Sequence, residues 1–354
     1  TNLQLILLRG SMECSPIRKF LLLSFLLTNP TEPMLKKGDE VLIPVVTWPT
    51  HVWSVMMAGL KVRFVDVDPE TLNIDVNDLE RKLTPSTKAI FLVHLMGNPC
   101  PMDRILTIAN DHDLLILEDC CEALGAEWDQ TRVGNFGIGS SFSFFFSHHL
   151  TTMEGGMIAC PNLGIRDNLR ILRAHGWLRN VASSRHDLSN YDGDNRYAFV
   201  NWGFNVRPTE IQAAFGLHQL QKEASFRDKR EELAALFFSF IDQTQYLSRP
   251  RIESLAKPSW LGLPILVNEN APFSRNEIVN HLEQAGVETR SILAGNLLKQ
   301  PVAQYFKEFA DTCCPGADVV HSRGFYVGLS PLMPKMMITR LIDVFEEFLS
   351  HRHR

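Results

Sequence analysis

The chain has 354 residues, 45% of them hydrophobic and 21% charged, enough apolar material for one large core or two medium ones. This excludes a disordered tail and a disulfide-stapled miniprotein. A net charge of −5 leaves no basic surplus to neutralise a nucleic-acid backbone, so a small-molecule partner is expected and nucleic acid is not.

The seven cysteines include the adjacent pairs Cys120/Cys121 and Cys313/Cys314 and show no metal-ligand rhythm, which predicts a reducing, cytoplasmic setting and no metal site. No apolar run reaches the roughly 18 residues of a membrane span. The nearest, residues 20–27, follows Arg18 and Lys19 as a signal-peptide core would, but Thr28, Asn29 and Pro30 follow it in place of a small-residue cleavage site. A buried first helix is the expectation there.

Apolar, β-branched runs at residues 41–46, 62–67, 89–94, 114–118, 141–145 and 157–160 alternate with helix-sized segments. That alternation predicts crossover connections and a mainly parallel sheet covered on both faces. The segment 102–110 shows the intervening helix type, with Ile105, Leu106, Ile108 and Ala109 on one side and Asp103, Arg104 and Asn110 left for solvent. From Thr209 a long helix is expected, with Ile211, Ala214, Phe215, Leu217, His218 and Leu220 at spacings of three and four. A strand at 260–266 and helices at 276–286 and 335–349 predict a smaller α+β domain. The boundary is expected inside the long helix, giving a large α/β domain over 1–225 and a small one over 226–354.

Ligands of open α/β sheets lie beyond the carboxyl ends of the strands. Thr47 and Trp48, His94, Asp119 with Glu122, and the stretch Ser143 to His149 fall there. Each also has a plain structural explanation: Trp48 as a core aromatic, Asp119 as a helix N-cap, His94 as a satisfied buried imidazole.

Taken together with their spacing, the motifs "GDEVLIP", "FVDVDPETLNID", "TPSTKAIFLVHLMGNPCPMD", "LLILEDCCEALGA" and "FSFFFSHHLTTMEGG" strongly resemble the DegT/DnrJ/EryC1/StrS family of pyridoxal-phosphate-dependent sugar aminotransferases. The resemblance continues through "GFNVRPTEIQAAFGLHQL" and, more weakly, "VETRSILAGN" and "HSRGFYVG". It implies a fold-type-I transferase with a seven-stranded sheet, pyridoxal or pyridoxamine 5′-phosphate (PLP or PMP) as cofactor, and a homodimer with shared active sites. Carried over by motif, Asp119 would face the pyridine nitrogen and keep it protonated. Trp48 would stack on the ring, Ser143 would bind the phosphate, and Asn205 would reach the phosphate of the neighbouring subunit. Glu122, where many members have Gln, would lie beside the phenolic oxygen.

His148 stands where the aminotransferases carry the lysine that binds the cofactor covalently, and no lysine occurs between Lys88 and Lys222. Imidazole cannot take over that covalent role but moves protons near neutral pH. The substitution resembles the nucleotide-sugar 3-dehydratase branch of the family, which implies non-covalent cofactor, a nucleotide-linked 4-keto-6-deoxyhexose as substrate and L-glutamate as amine donor. Arg290 would hold an anionic group of either, or is a plain surface arginine. Residues 161–208 contain no cysteine, which argues against the iron–sulfur cluster of a related branch. An aminotransferase working without the lysine and a catalytically silent binding protein are the alternatives. The family's Gly/Ser-rich phosphate turn has no counterpart in the atypical first 37 residues, where "ECSPIR" (13–18) occupies its place.

Overall fold

The computed structural model describes residues 4–8, 34–179, 181, 186–305 and 312–350. The helix expected at 20–27 and the turn at 13–18 lie outside them.

Strand β1 (Gln4–Leu8) is followed by β2 (Glu40–Pro44), helix α1 (Thr50–Met57), β3 (Lys61–Val65), α2 (Val76–Arg81) and β4 (Thr87–Val93). Then come α3 (Met102–Asp111), β5 (Leu115–Asp119), a short hairpin of β6 (Glu127–Trp128) and β7 (Thr131–Arg132), β8 (Gly139–Ser143), β9 (Gly156–Cys160) and α4 (Leu163–Arg173). Seven of these strands form one sheet in the order β1-β9-β8-β5-β4-β2-β3. The five from β8 to β3 run parallel, whereas β9 is antiparallel to β8 and β1 antiparallel to β9. Val41, Leu42 and Ile43 are all fully buried, as a strand covered on both faces requires. Side-chain caps start the crossover helices: Asp75 accepts from Asn77 N–H ahead of α2, and Asn162 from Gly164 and Ile165 ahead of α4. In α3, Ile105, Ile108 and Ala109 are buried while Asp103, Arg104 and Asn110 face solvent, as the periodicity predicts.

The long helix expected from Thr209 is two helices, α5 (Glu210–Leu220) and α6 (Glu223–Ile241). Thr209 and Gln212 form a capping box at the start. The run stops because Lys222 N–H bonds to the Gln219 carbonyl three residues back, a 3₁₀ step, before α6 begins. None of the α5 side chains is buried within the chain, and Ile211 is 75% and Leu217 67% exposed.

Strands β10 (Leu247–Ser248), β12 (Gly262–Val267), β13 (Thr289–Ser291) and β14 (Gly324–Gly328) make an antiparallel sheet in the order β10-β12-β14-β13, while β11 (Ala256–Lys257) joins the β6–β7 hairpin. Helices α7 (Arg275–Gln284), α8 (Pro315–Arg323) and α9 (Lys335–Ser350) complete the C-terminal third. Leu233, Phe237, Ile265, Phe325 and Phe345 form its own core, but Ile292, Leu297, Ala317 and Val320 pack into the core of the large sheet. At Gly97 the two regions touch: Ser259 N–H donates to the Gly97 carbonyl, and a Cβ at Gly97 would come within 1.8 Å of the Ser259 oxygen.

Candidate active site

The carboxyl ends of β2, β4, β5 and β8 gather most of the expected residues at one edge of the sheet. Asp119 is the last residue of β5 and is buried. Its Oδ1 accepts from the Cys121 N–H at 2.9 Å and from the Ser141 hydroxyl at 3.1 Å. Its Oδ2 lies 2.7 Å from Nε2 of the fully buried His51. Nδ1 of that imidazole is 2.7 Å from the Thr47 hydroxyl and 3.0 Å from the Trp48 carbonyl. The turn into α1 thus ties the half-buried Trp48 to Asp119. His51 was not among the sequence candidates; its only signal is its place three residues after Trp48, on the first turn of a helix.

Ser143 closes β8, its oxygen accepting from the Phe145 N–H at 3.3 Å. The loop that follows returns on itself, with Phe144 N–H bonded to the Gly155 carbonyl and Thr152 N–H to the Phe144 carbonyl. His148 sits half-buried on this loop, its own N–H donating to the Phe145 carbonyl and its ring edge-on to the Phe145 ring at 6.0 Å. The adjacent His149 points elsewhere: it is buried and donates through Nε2 to the Ser259 carbonyl at 2.8 Å.

Glu122 reaches the turn after β4, its Oε2 accepting from the Met96 N–H at 2.7 Å. Burial, together with the Glu122 charge, pushes the Tyr326 phenol up to about 12, with Arg290 pulling the other way. Tyr326 and Arg290 pair across β14 and β13. Tyr326 is a second residue that sequence reasoning passed over, although "HSRGFYVG" contains it. Arg290 is exposed and already bonded to the Glu288 carboxylate and the Thr289 carbonyl. Asn205 is also exposed, accepting from Arg207 Nε at 3.0 Å; among the described residues it bonds to none of the other candidates.

His94 is the satisfied buried imidazole of the plainer reading. Its Nδ1 accepts from the Cys100 N–H, so Nε2 carries the proton toward Glu118, 3.2 Å away. Glu118 also accepts from the Gly134, Phe136 and Gly137 N–H groups. His94, Glu118 and Cys120 come within 4.8 Å of one another. The His94 and Glu118 donor atoms are already committed to the protein, so this is a structural node under the strand ends.

The donor set fits a phosphorylated pyridine. A buried carboxylate anchored through both oxygens suits a ring N–H, a half-buried indole offers a flat wall, and Ser143 supplies a hydroxyl at a strand end.

Residues 23–346 match the model of the DegT/DnrJ/EryC1/StrS aminotransferase family. The chain is 36% identical over 320 residues to a GDP-4-keto-6-deoxy-D-mannose 3-dehydratase of Yersinia pseudotuberculosis, covering 89% of this chain and 81% of that protein. Two crystal structures of GDP-4-keto-6-deoxymannose-3-dehydratase superpose on it with a TM-score of 0.87 at 33% identity, over 96% of this chain and 87% of theirs. One is a histidine-to-asparagine mutant with bound GDP-perosamine, and the other holds a trapped PLP–glutamate geminal diamine. With its strand-end site, its doubly wound sheet and a family match that runs through both, the chain belongs to the DegT/DnrJ/EryC1/StrS aminotransferase family.

Proposed function

We propose that this chain is a PLP/PMP-dependent nucleotide-sugar 3-dehydratase, removing the C3 hydroxyl of a nucleotide-linked 4-keto-6-deoxyhexose in deoxysugar and lipopolysaccharide biosynthesis. The observation that carries this reading is His148: an imidazole on the loop beyond β8, in a chain with no lysine between Lys88 and Lys222. The 3-dehydratases at 36% identity and 0.87 TM-score support it.

When bound, the cofactor supplies an amine that engages the C4 ketone and a ring that accepts electrons. Asp119 holds the proton on the ring nitrogen. Trp48 would cover one face of the ring, and Glu122 would sit beside its phenolic oxygen. Ser143 and Asn205 of a second subunit bind the phosphate. His148 takes a proton from the cofactor's C4′ carbon and then delivers one to the departing C3 oxygen, so that water leaves. One imidazole is base first and acid second. Arg290 meets an anionic group of the sugar nucleotide or of L-glutamate, the donor that restores the amine.

The exposed apolar side chains of α5 support a homodimer with shared sites. We propose the domain boundary near residue 225, at the start of α6; the membership of Leu233 and Phe237 in the C-terminal core supports it. Six free cysteines among the described residues accord with a cytoplasmic setting, and none of the described helices is long and apolar enough to cross a membrane.

Incubation with PMP, L-glutamate and a panel of 4-keto-6-deoxy nucleotide sugars, followed by mass spectrometry, tests the reading. A 3-deoxy-4-keto product is expected. An amino sugar would make the chain an aminotransferase, and unchanged sugars would make it a binding protein.

A further inference from the structure

His51 is a fully buried imidazole for which the proposed reaction has no role, and it lies against the carboxylate that the reaction needs. Its surroundings restrict what it can do. The Trp48 carbonyl, 3.0 Å from Nδ1, can only accept, and so can the ionised Asp119 oxygen, 2.7 Å from Nε2. The Thr47 hydroxyl, 2.7 Å from Nδ1, can do either. The Nε2–Oδ2 contact is an ion pair by distance whose N–H is not aligned for a hydrogen bond, so a cationic ring offers the buried carboxylate a counter-charge rather than a directed donor, and a neutral ring would leave that charge uncompensated. Phe91 packs against the ring at 4.7 Å and 88°, which leaves little freedom to rotate.

We propose that His51 is the positioning residue of the site. Doubly protonated, it clamps Asp119 Oδ2 from the first turn of α1 and makes the pair electrically neutral. The inference rests on the reading in which Asp119 meets the ring nitrogen of the cofactor. Cys121 N–H and Ser141 Oγ hold Oδ1, His51 holds Oδ2, and the carboxylate is fixed in one rotamer before cofactor arrives. A carboxylate buried without such a partner is costly and turns or takes up a proton instead. His51 therefore acts on the cofactor only through Asp119.

The test is a double-mutant cycle on PMP affinity, read beside the nitrogen NMR signal of cofactor labelled with ¹⁵N in its ring. His51→Phe keeps a flat ring but no donor, and is expected to weaken PMP at least tenfold, about 1.4 kcal/mol, and to shift the ring-nitrogen signal. His51→Gln, which keeps a polar N–H but no charge, should recover only part of that loss. In an Asp119→Asn background His51→Phe should change affinity less than twofold. Equal affinity and an unshifted signal in His51→Phe would overturn the role of His51. So would a tenfold loss that persists in the Asp119→Asn background, since that is what a merely structural role would give. An Asp119→Asn protein whose ring-nitrogen signal matches the wild type would overturn the cofactor role of Asp119 itself. If His51→Phe does not fold, the imidazole signals of the cofactor-free wild type and Asp119→Asn proteins decide: a doubly protonated His51 that depends on Asp119 is expected, and a His51 signal indifferent to it contradicts the pair.

Discussion

Replacing His149 by glutamine separates the packing of the histidine loop from its chemistry. In the folded chain His149 is 7% exposed, Nε2 donates to the Ser259 carbonyl at 2.8 Å, and Nδ1 meets no hydrogen-bond partner among the described residues. Burial above all, and then the positive charge of Arg230, push its pKa down to about 3, against a smaller upward pull from the Ser259 carbonyl. An unfolded histidine titrates near about 6.5. Below that value the unfolded chain binds a proton that the folded chain refuses. Stability is therefore complete above the unfolded value and drains as pH falls toward the folded one, by up to about 1.4 kcal/mol per pH unit. Integrated down to about pH 5, the loss is about 2 kcal/mol. Glutamine keeps an N–H donor for Ser259 but cannot protonate, and its poorer fit costs about 1 kcal/mol. In urea unfolding at about pH 8 the variant should be less stable by about 1 kcal/mol, and at about pH 5 more stable by a similar amount. A stability difference that stays constant across that range would refute a buried, neutral His149.

Other substitutions probe separate links. His148→Asn should lower dehydration by about 10² to 10⁴, the scale of a lost acid–base group, while His149→Gln stays within about tenfold of wild type at neutral pH; the reverse ranking in steady-state assays would put the proton-moving imidazole at the wrong residue. Borohydride treatment of PLP-loaded protein should leave no cofactor attached after denaturation, and a pyridoxyl-lysine peptide from the site would contradict non-covalent binding. Glu118→Gln sets an amide N–H₂ against backbone N–H donors that now meet a carboxylate, and should destabilise the fold by about 3 kcal/mol in urea; a change under about 1 kcal/mol would mean that the node under the strand ends is not what holds them. Charging the open face of α5 with Ile211→Glu and Leu217→Glu should convert a dimer to monomer in sedimentation, whereas an unchanged mass would place the subunit contact elsewhere.

The parallel strands were legible because a strand buried on both faces is a continuous apolar run, as Val41 to Ile43 show; the strand bounds differ from the expected ones by one or two residues. Strand β1 was not, since "QLILL" gains its partner only when β9 comes alongside it from far along the chain. Continuous periodicity from Thr209 hid the break at Gln221 and Lys222, which lies in backbone hydrogen bonding and leaves no mark in residue type. The exposure of that helix was likewise invisible, because an apolar stripe looks the same whether it meets its own chain or another. At the site, Asp119, Ser143 and Trp48 could be found by position at strand ends. His51 could not, for its meaning comes from a carboxylate on a strand two places across the sheet. Tyr326 escaped for the same reason: β14 pairs with β13 far from the motifs that precede it, and its nearness to Glu122 exists only in the fold.

In the proposed reaction His148 moves a proton at the cofactor's C4′ carbon without ever holding the cofactor covalently. Pyridoxamine phosphate carrying deuterium at C4′ measures this step directly when it is incubated with a nucleotide-linked 4-keto-6-deoxyhexose. Wild-type protein should wash out one of the two C4′ labels into solvent water, while His148→Asn, binding cofactor with wild-type affinity, should retain both at rates lower by about 10² or more. Label loss from the asparagine variant at the wild-type rate would contradict this role of His148, because another group would then be moving that proton.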